Sequence, residues 1–212
     1  DHVGPFDFEV ANAALQVTRG KRSVDLEWIE DSCARLDIEP FERRIHDKAL
    51  LESARLDTMQ VNVTYRCNLA CNHCYLGCSP KNEECMSRET MEAVLAAFKT
   101  GGFKVMDITG GSPEMNPDLE WFIGEASKIA EQVIVRTNLV ILDDSEYAHF
   151  KDVYVDNKVK LVTSMPYFDA AGVDEQRGAG SFASIMKVLR EMNALGYGVD
   201  PELQIDLAYN VD

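Results

Sequence analysis

The chain has 212 residues, 46% of them hydrophobic and 27% charged, the balance of a globular domain with a core of its own. Its 36 acidic against 21 basic side chains give a formal charge of −15, a surface that repels the phosphates of nucleic acid and of anionic membranes. No apolar run reaches the roughly 20 residues of a membrane helix, and no cationic-then-apolar signal segment opens the chain. A cytoplasmic protein with a small-molecule partner is expected.

Residues 1–57 read as a separate, acidic and partly helical N-terminal extension. Apolar residues in 25–36 fall near helical spacing, and Pro40 interrupts before a second helical stretch. Trp28 and Cys33 are expected to be packing residues. From Thr58 the period changes. Residues 59–64 alternate strictly, as a strand with two different faces should. Ser87 then caps a helix with Met91, Val94, Leu95 and Phe98 on one face, closed by Gly101 and Gly102. A second strand follows at 104–108. Asn116 and Pro117 supply an N-cap and a first-turn proline for a helix running to about Ala130. Strands are expected again at 132–136, 159–164 and 203–208. Between the last two, Ser181 caps a helix stopped by Gly196.

Repeated β–α units imply a parallel sheet. Central strands of an open sheet covered on both faces would be almost wholly apolar. Here Gln60, Asn62, Asp107, Gln204 and Asp206 interrupt them at alternating positions, while Val61, Val63, Ile205 and Leu207 face the other way. One polar face suits the lumen of a partial (β/α) barrel, and barrel active sites lie at the C-terminal strand ends.

Five of the six cysteines, Cys67, Cys71, Cys74, Cys78 and Cys85, fall within nineteen residues, unlike a secreted disulfide framework. Cys67, Cys71 and Cys74 form Cys-x3-Cys-x2-Cys directly after the first strand. Three thiolates on such a loop can hold three irons of a [4Fe–4S] cube and leave the fourth iron open. Two other readings stay open at this point: a zinc site completed by Cys78, Cys85 or His73, and a set of buried structural thiols.

This loop after the first barrel strand resembles the radical S-adenosylmethionine (SAM) superfamily. The resemblance implies a partial (β/α)6-type barrel over residues 58–212, truncated after about five strands and incomplete at its C-terminal end. It also implies SAM chelated to the open iron and cleaved by one electron to methionine and a 5′-deoxyadenosyl radical. A small electron donor such as flavodoxin or ferredoxin would supply that electron. His73 takes the place where the superfamily usually sets an aromatic residue near adenine, and Tyr75 is expected to pack around the cluster. Residues 108–114 resemble the superfamily's Gly-Gly-Glu contact to the SAM ammonium. Glu114 is displaced by Ser112 and Pro113, so the backbone at Gly110 and Gly111 is expected to make the approach. Arg136 and Asn138, at the end of the third strand, suit a carboxylate or ribose, or a structural salt bridge. Ser164 is a candidate for ribose hydroxyls. Arg177 either reaches the SAM carboxylate or braces its loop. Cys78 and Cys85 are expected to be packing thiols, with a soft-element or metal role as the alternative.

Residues 56–71, 86–91, 107–117, 136–139, 176–178 and 192–198 resemble more narrowly the arsenosugar-biosynthesis radical SAM proteins. That implies a reaction joining the 5′-deoxyadenosyl carbon to arsenic of a methylated trivalent arsenical. A radical SAM enzyme acting on a peptide or another small molecule, and a non-catalytic zinc module, are the competing readings.

Overall fold

A computed structural model describes residues 33–39, 41–45, 47 and 55–209. The chain divides into two units, residues 1–54 and 55–212. In the first, the described residues contain a short helical stretch at 33–35 and a single turn, Phe41–Arg44. Trp28 and most of the helix expected at 25–36 lie outside the described residues.

The second unit carries a parallel sheet of β1 (Thr58–Asn62), β2 (Val105–Thr109), β3 (Gln132–Thr137), β4 (Lys160–Ser164) and β5 (Ile205–Ala208). Its order is β1-β2-β3-β4-β5, each strand parallel to the next. Sequential order without a reversal is that of a barrel wall, since a doubly wound sheet reverses at a switch point. The helices are α1 (Arg88–Gly101), α2 (Leu119–Ala126), α3 (Phe150–Asp156), α4 (Ala170–Arg177) and α5 (Ser181–Ala194). The protein is therefore an unclosed partial α/β barrel.

Register explains the two faces. Val61, Ile108, Val135, Leu161 and Ile205 are paired neighbours across all five strands, forming one apolar row under the helices. On the opposite face Gln60 pairs with Asp107, Arg136 with Val162, and Ser164 with Ala208. Each strand thus gives one face to the core and one to the lumen, the period of two that its residues alternate with. Leu207 departs from the expectation that it packs under a helix. It is 44% exposed because β5 is the edge strand, flanked by β4 alone.

α1 forms as its sequence dictates. The Ser87 side chain accepts from the Thr90 amide, Gly102 closes the helix at φ 67°, and Met91 and Phe98 are buried. α2 starts later and ends earlier than its sequence suggests. Asn116 Oδ1 does accept from the Asp118 amide at 2.9 Å, as expected of a cap, but the regular helix begins only at Leu119. Its side-chain amide also donates to the carbonyls of Val63 (2.8 Å) and Met86 (3.0 Å), tying the end of β1 to the segment before α1. Ser181 is the first residue of α5 and no cap. The Asp174 carboxylate does that work, accepting from the amides of Gly180 and Phe182 at 2.9 Å each. α3 and α4 were not expected from periodicity; both are short, and Gly172 and Asp156 obscure their patterns.

Candidate active site

The cysteine loop leaves β1 and is held as a folded flap. Val63 donates to Thr109 O and Met86 donates to Val63 O; Tyr65 donates to Glu84 O and Cys67 to Ser79 O. Its middle docks on the last turn of α4, where the Asn72 amide donates to Gln176 O at 3.0 Å and its side chain donates to Glu175 O at 2.9 Å. The loop therefore sits over the C-terminal mouth of the sheet, the end where barrel enzymes place their chemistry.

Cys67, Cys71, Cys74 and Cys78 line one cavity of about 160 Å³ with Gly110 and Gly111. Beside it lies a second cleft of about 220 Å³, walled by Thr109, Arg136, Val162 and Ala208. Cys74, Tyr75, Gly110, Gly111, Asn138 and Ser164 border both, so the two are continuous along one wall.

Among the described residues no three His, Cys, Asp or Glu side chains are drawn together tightly enough to hold a single metal ion, but thiols spread around one cavity are donors of the kind a larger iron–sulfur cube takes. Cys67 Sγ accepts from the Leu69 amide at 3.4 Å and from Asn138 Nδ2 at 3.7 Å, and lies 3.3 Å from Ser112 Oγ. Cys74 Sγ accepts from the Cys78 amide at 3.4 Å. Donors aimed at sulfur fix the direction in which each of these side chains points. Burial holds the Cys71 thiol above its ordinary pKa, the Arg177 charge offsetting only part of the rise. Burial, then the neighbouring Cys74, pushes Cys78 up to about 12.

The predicted site residues divide. Gly110, Gly111, Arg136, Asn138, Ser164, His73 and Tyr75 all reach the cavities. His73 Nδ1 lies 3.3 Å from Gln176 Oε1, which ties this ring to α4. Tyr75 is 89% exposed and lines the rim without packing closely. Arg136 is forked onto Asp107 through Nε (2.9 Å) and Nη2 (2.8 Å), and Gln60 donates to the same carboxylate. It forms the salt bridge and lines the cleft at once. Asn138 is engaged as a brace, donating to Asn68 Oδ1 and Ser112 Oγ and accepting from the Ile141 amide. Cys85 separates from Cys78: it is exposed, sits 3.0 Å from Thr64 Oγ1 and lies outside the cysteine cavity.

Glu114 is not brought to the site. It is 2% exposed and accepts from the Tyr154 hydroxyl of α3 at 2.8 Å, because the short turn Pro113–Met115 swings it behind the sheet. Burial raises its pKa, while the Thr137 hydroxyl, its own backbone and Tyr154 pull it down. In the folded state it keeps its proton to higher pH than in the unfolded chain. Its stabilising contribution is then complete below the unfolded carboxylate pKa and is lost as pH rises through the folded one. Glu114→Gln is expected to flatten that decline, measured by urea denaturation across a pH series.

Asn68, Ser112 and Tyr154 were missed by sequence reasoning. Asn68 lay inside the cysteine motif and Ser112 inside the glycine motif, but only the fold joins them. For Tyr154 no sequence signal existed.

A partial barrel with a thiol-lined cavity at its strand mouth defines a class of iron–sulfur enzyme. The model of the radical SAM superfamily matches residues 61–203, and the chain belongs to that superfamily. Its cofactors are accordingly a [4Fe–4S] cluster and SAM, which sets the zinc module aside. The chain is 27% identical over 135 residues to the antilisterial bacteriocin subtilosin biosynthesis protein AlbA of Bacillus subtilis, covering 63% of this chain and 30% of that protein. It is also 27% identical over 135 residues to the mycofactocin maturase MftC of Mycobacterium ulcerans, covering 64% and 36%. The crystal structure of Streptococcus suis SuiB bound to S-adenosylmethionine superposes with a TM-score of 0.60 at 15% identity, over 95% of this chain and 43% of that one. The chain thus spans about a third of the length of the curated relatives it matches. No helix among the described residues is long and apolar enough to cross a membrane.

Proposed function

We propose that Cys67, Cys71 and Cys74 hold the cluster and that the enzyme joins the 5′-deoxyadenosyl group of SAM to a methylated trivalent arsenical. The observation that carries the site assignment is the cysteine cavity opening along one wall into the cleft of about 220 Å³. When bound, the cluster supplies the electron that breaks SAM, so the reaction requires a reductant, for which a flavodoxin or ferredoxin is suited. The chain's own residues position and shelter. Gly110 lines the shared wall beside the ligand, and Gly111 lets the cysteine loop lie close against the end of β2. Arg136 presents a cation held in place by Asp107, suited to the SAM carboxylate. Ser164 offers a hydroxyl across the cleft, and the flap of residues 65–86 limits water at the mouth.

What supports arsenic is the resemblance over the six separate segments given above, together with a cleft sized for a small ligand. A soft arsenic centre accepts carbon through its lone pair without hydrogen abstraction. The C5′–sulfur bond of SAM would break with methionine as the leaving group, the carbon–arsenic bond would form, and the one surplus electron of the adduct would return to the oxidised cluster, so SAM is consumed as cosubstrate. The names of two relatives, a bacteriocin biosynthesis protein and a maturase, favour a second reading in which a peptide or other small molecule is modified. The full-length protein, reduced anaerobically with SAM and a dimethylated trivalent arsenical, is expected to yield one product containing arsenic and the labelled adenosyl carbons by mass spectrometry. Release of free 5′-deoxyadenosine alone, with cleavage coupled to another substrate, would favour the second reading.

A further inference from the structure

Arg177 ends α4 and is 6% exposed. Its Nη1 donates to Asn138 O at 3.3 Å, and its Nε is enclosed without a hydrogen-bond partner. Guanidinium does not give up its proton in proteins, so this position carries a positive charge into the interior. Burial opposes that charge, and the groups that favour it are Cys71 and Cys67. A buried cation needs a compensating anion, or its desolvation is uncompensated. The residue is also fixed in place relative to the cysteines, because the preceding two residues of α4 accept both hydrogen bonds from Asn72.

We propose that Arg177 sets the reduction potential of the cluster as the positive charge beside it, and is a positioning residue for electron entry rather than a contact to SAM. This rests on the reading that Cys67, Cys71 and Cys74 hold the cluster. The step concerned moves one electron from an external low-potential reductant into the cluster; no bond forms or breaks and no proton transfers. Three thiolates and the cube together are negative, and the incoming electron adds one more negative charge. A fixed cation in a poorly solvated position stabilises the reduced form more than the oxidised form, so it raises the potential. The orphaned Nε is the donor left for cluster sulfur or thiolate.

The test is a potentiometric titration followed by electron paramagnetic resonance, on reconstituted full-length protein without SAM. Arg177→Met is expected to lower the reduced-to-oxidised ratio at fixed potential at least tenfold, about 59 mV for a one-electron couple. Arg177→Lys keeps the charge and is expected to fall between Met and the wild type. A midpoint unmoved by Arg177→Met overturns the proposal, as does a loss of SAM affinity with no shift in the SAM-free midpoint. Should the Met variant fail to take up iron, the Lys variant decides. Uptake of iron with a midpoint near the wild type supports the charge, and failure of Lys as well overturns it. A wild-type protein that takes up no cluster instead sinks the ligand assignment, which separates the two failures.

Discussion

Alanine at Cys67, Cys71 or Cys74 is expected to strip the protein of its cluster, with iron content and visible absorbance falling together. Each of the three thiols lines the same cavity, and a cube with one open iron leaves none of them in reserve. Removal of an outer partner of a metal ligand already costs about 10–100-fold in metal affinity, and loss of the ligand itself should cost no less than that range. Cys78 is the one complication, since it is buried and faces the same cavity. The single variants should therefore be paired with Cys78→Ala, so that recruitment of the neighbour is detected. Cys85→Ala and Cys33→Ala serve as controls. Cys85 lies outside the cavity beside Thr64, and Cys33 belongs to the other unit. Four-iron clusters that survive in any of the Cys67, Cys71 or Cys74 variants lacking Cys78 would show the ligand set to be wrong.

A side chain at Gly111 is expected to damage the same cluster from the opposite wall. A Cβ there would sit 2.2 Å from Arg66 O and 3.0 Å from Cys67 Cβ. The first is backbone and cannot swing aside. The strand end and the loop are also laced together at this point, with Gly111 donating to Thr64 O and Ser112 to Arg66 O, both at 2.8 Å. Even Gly111→Ala must push the cysteine loop away from β2. Overpacking of this kind costs about 1–3 kcal/mol, and the displaced residue is a proposed ligand. Lower iron loading and a lower melting temperature are expected together. Sequence reasoning alone expects iron to hold while SAM binding weakens, with the glycine serving a close ligand approach. Equilibrium dialysis with SAM alongside an iron assay separates the two: intact iron with weakened SAM binding would restore the ligand-approach reading.

The difference between those two expectations shows where sequence stops. Spacing within a single loop is local information, and Cys67, Cys71 and Cys74 were legible as one chemical unit before any fold was known. The strands were legible too, because alternation such as Gln60, Val61 and Asn62 reports two unlike faces, and a polar inner face favours a barrel. Caps were legible only where the capping group is adjacent in sequence. Ser87 satisfies that condition. Asp174 does not, since it reaches from α4 to the start of α5 across a turn.

What tertiary structure alone decided was the direction in which each polar side chain points. Glu114 reads as a ligand contact, but a turn of three residues sends it behind the sheet to Tyr154, forty positions away. Asn138 reads as a ribose contact and is instead occupied with Asn68 and Ser112. Gly111 reads as room for SAM, and the room is taken by Arg66 and Cys67. Cys78 and Cys85 read alike and separate onto different surfaces. The common reason is that a polar group is satisfied by whatever partner the packed chain brings within hydrogen-bond distance. That partner is set by strand register and turn direction, which depend on many distant residues at once. Residue type and local spacing, by contrast, are enough to name the class of chemistry, because thiolates and iron impose their requirement within one short loop.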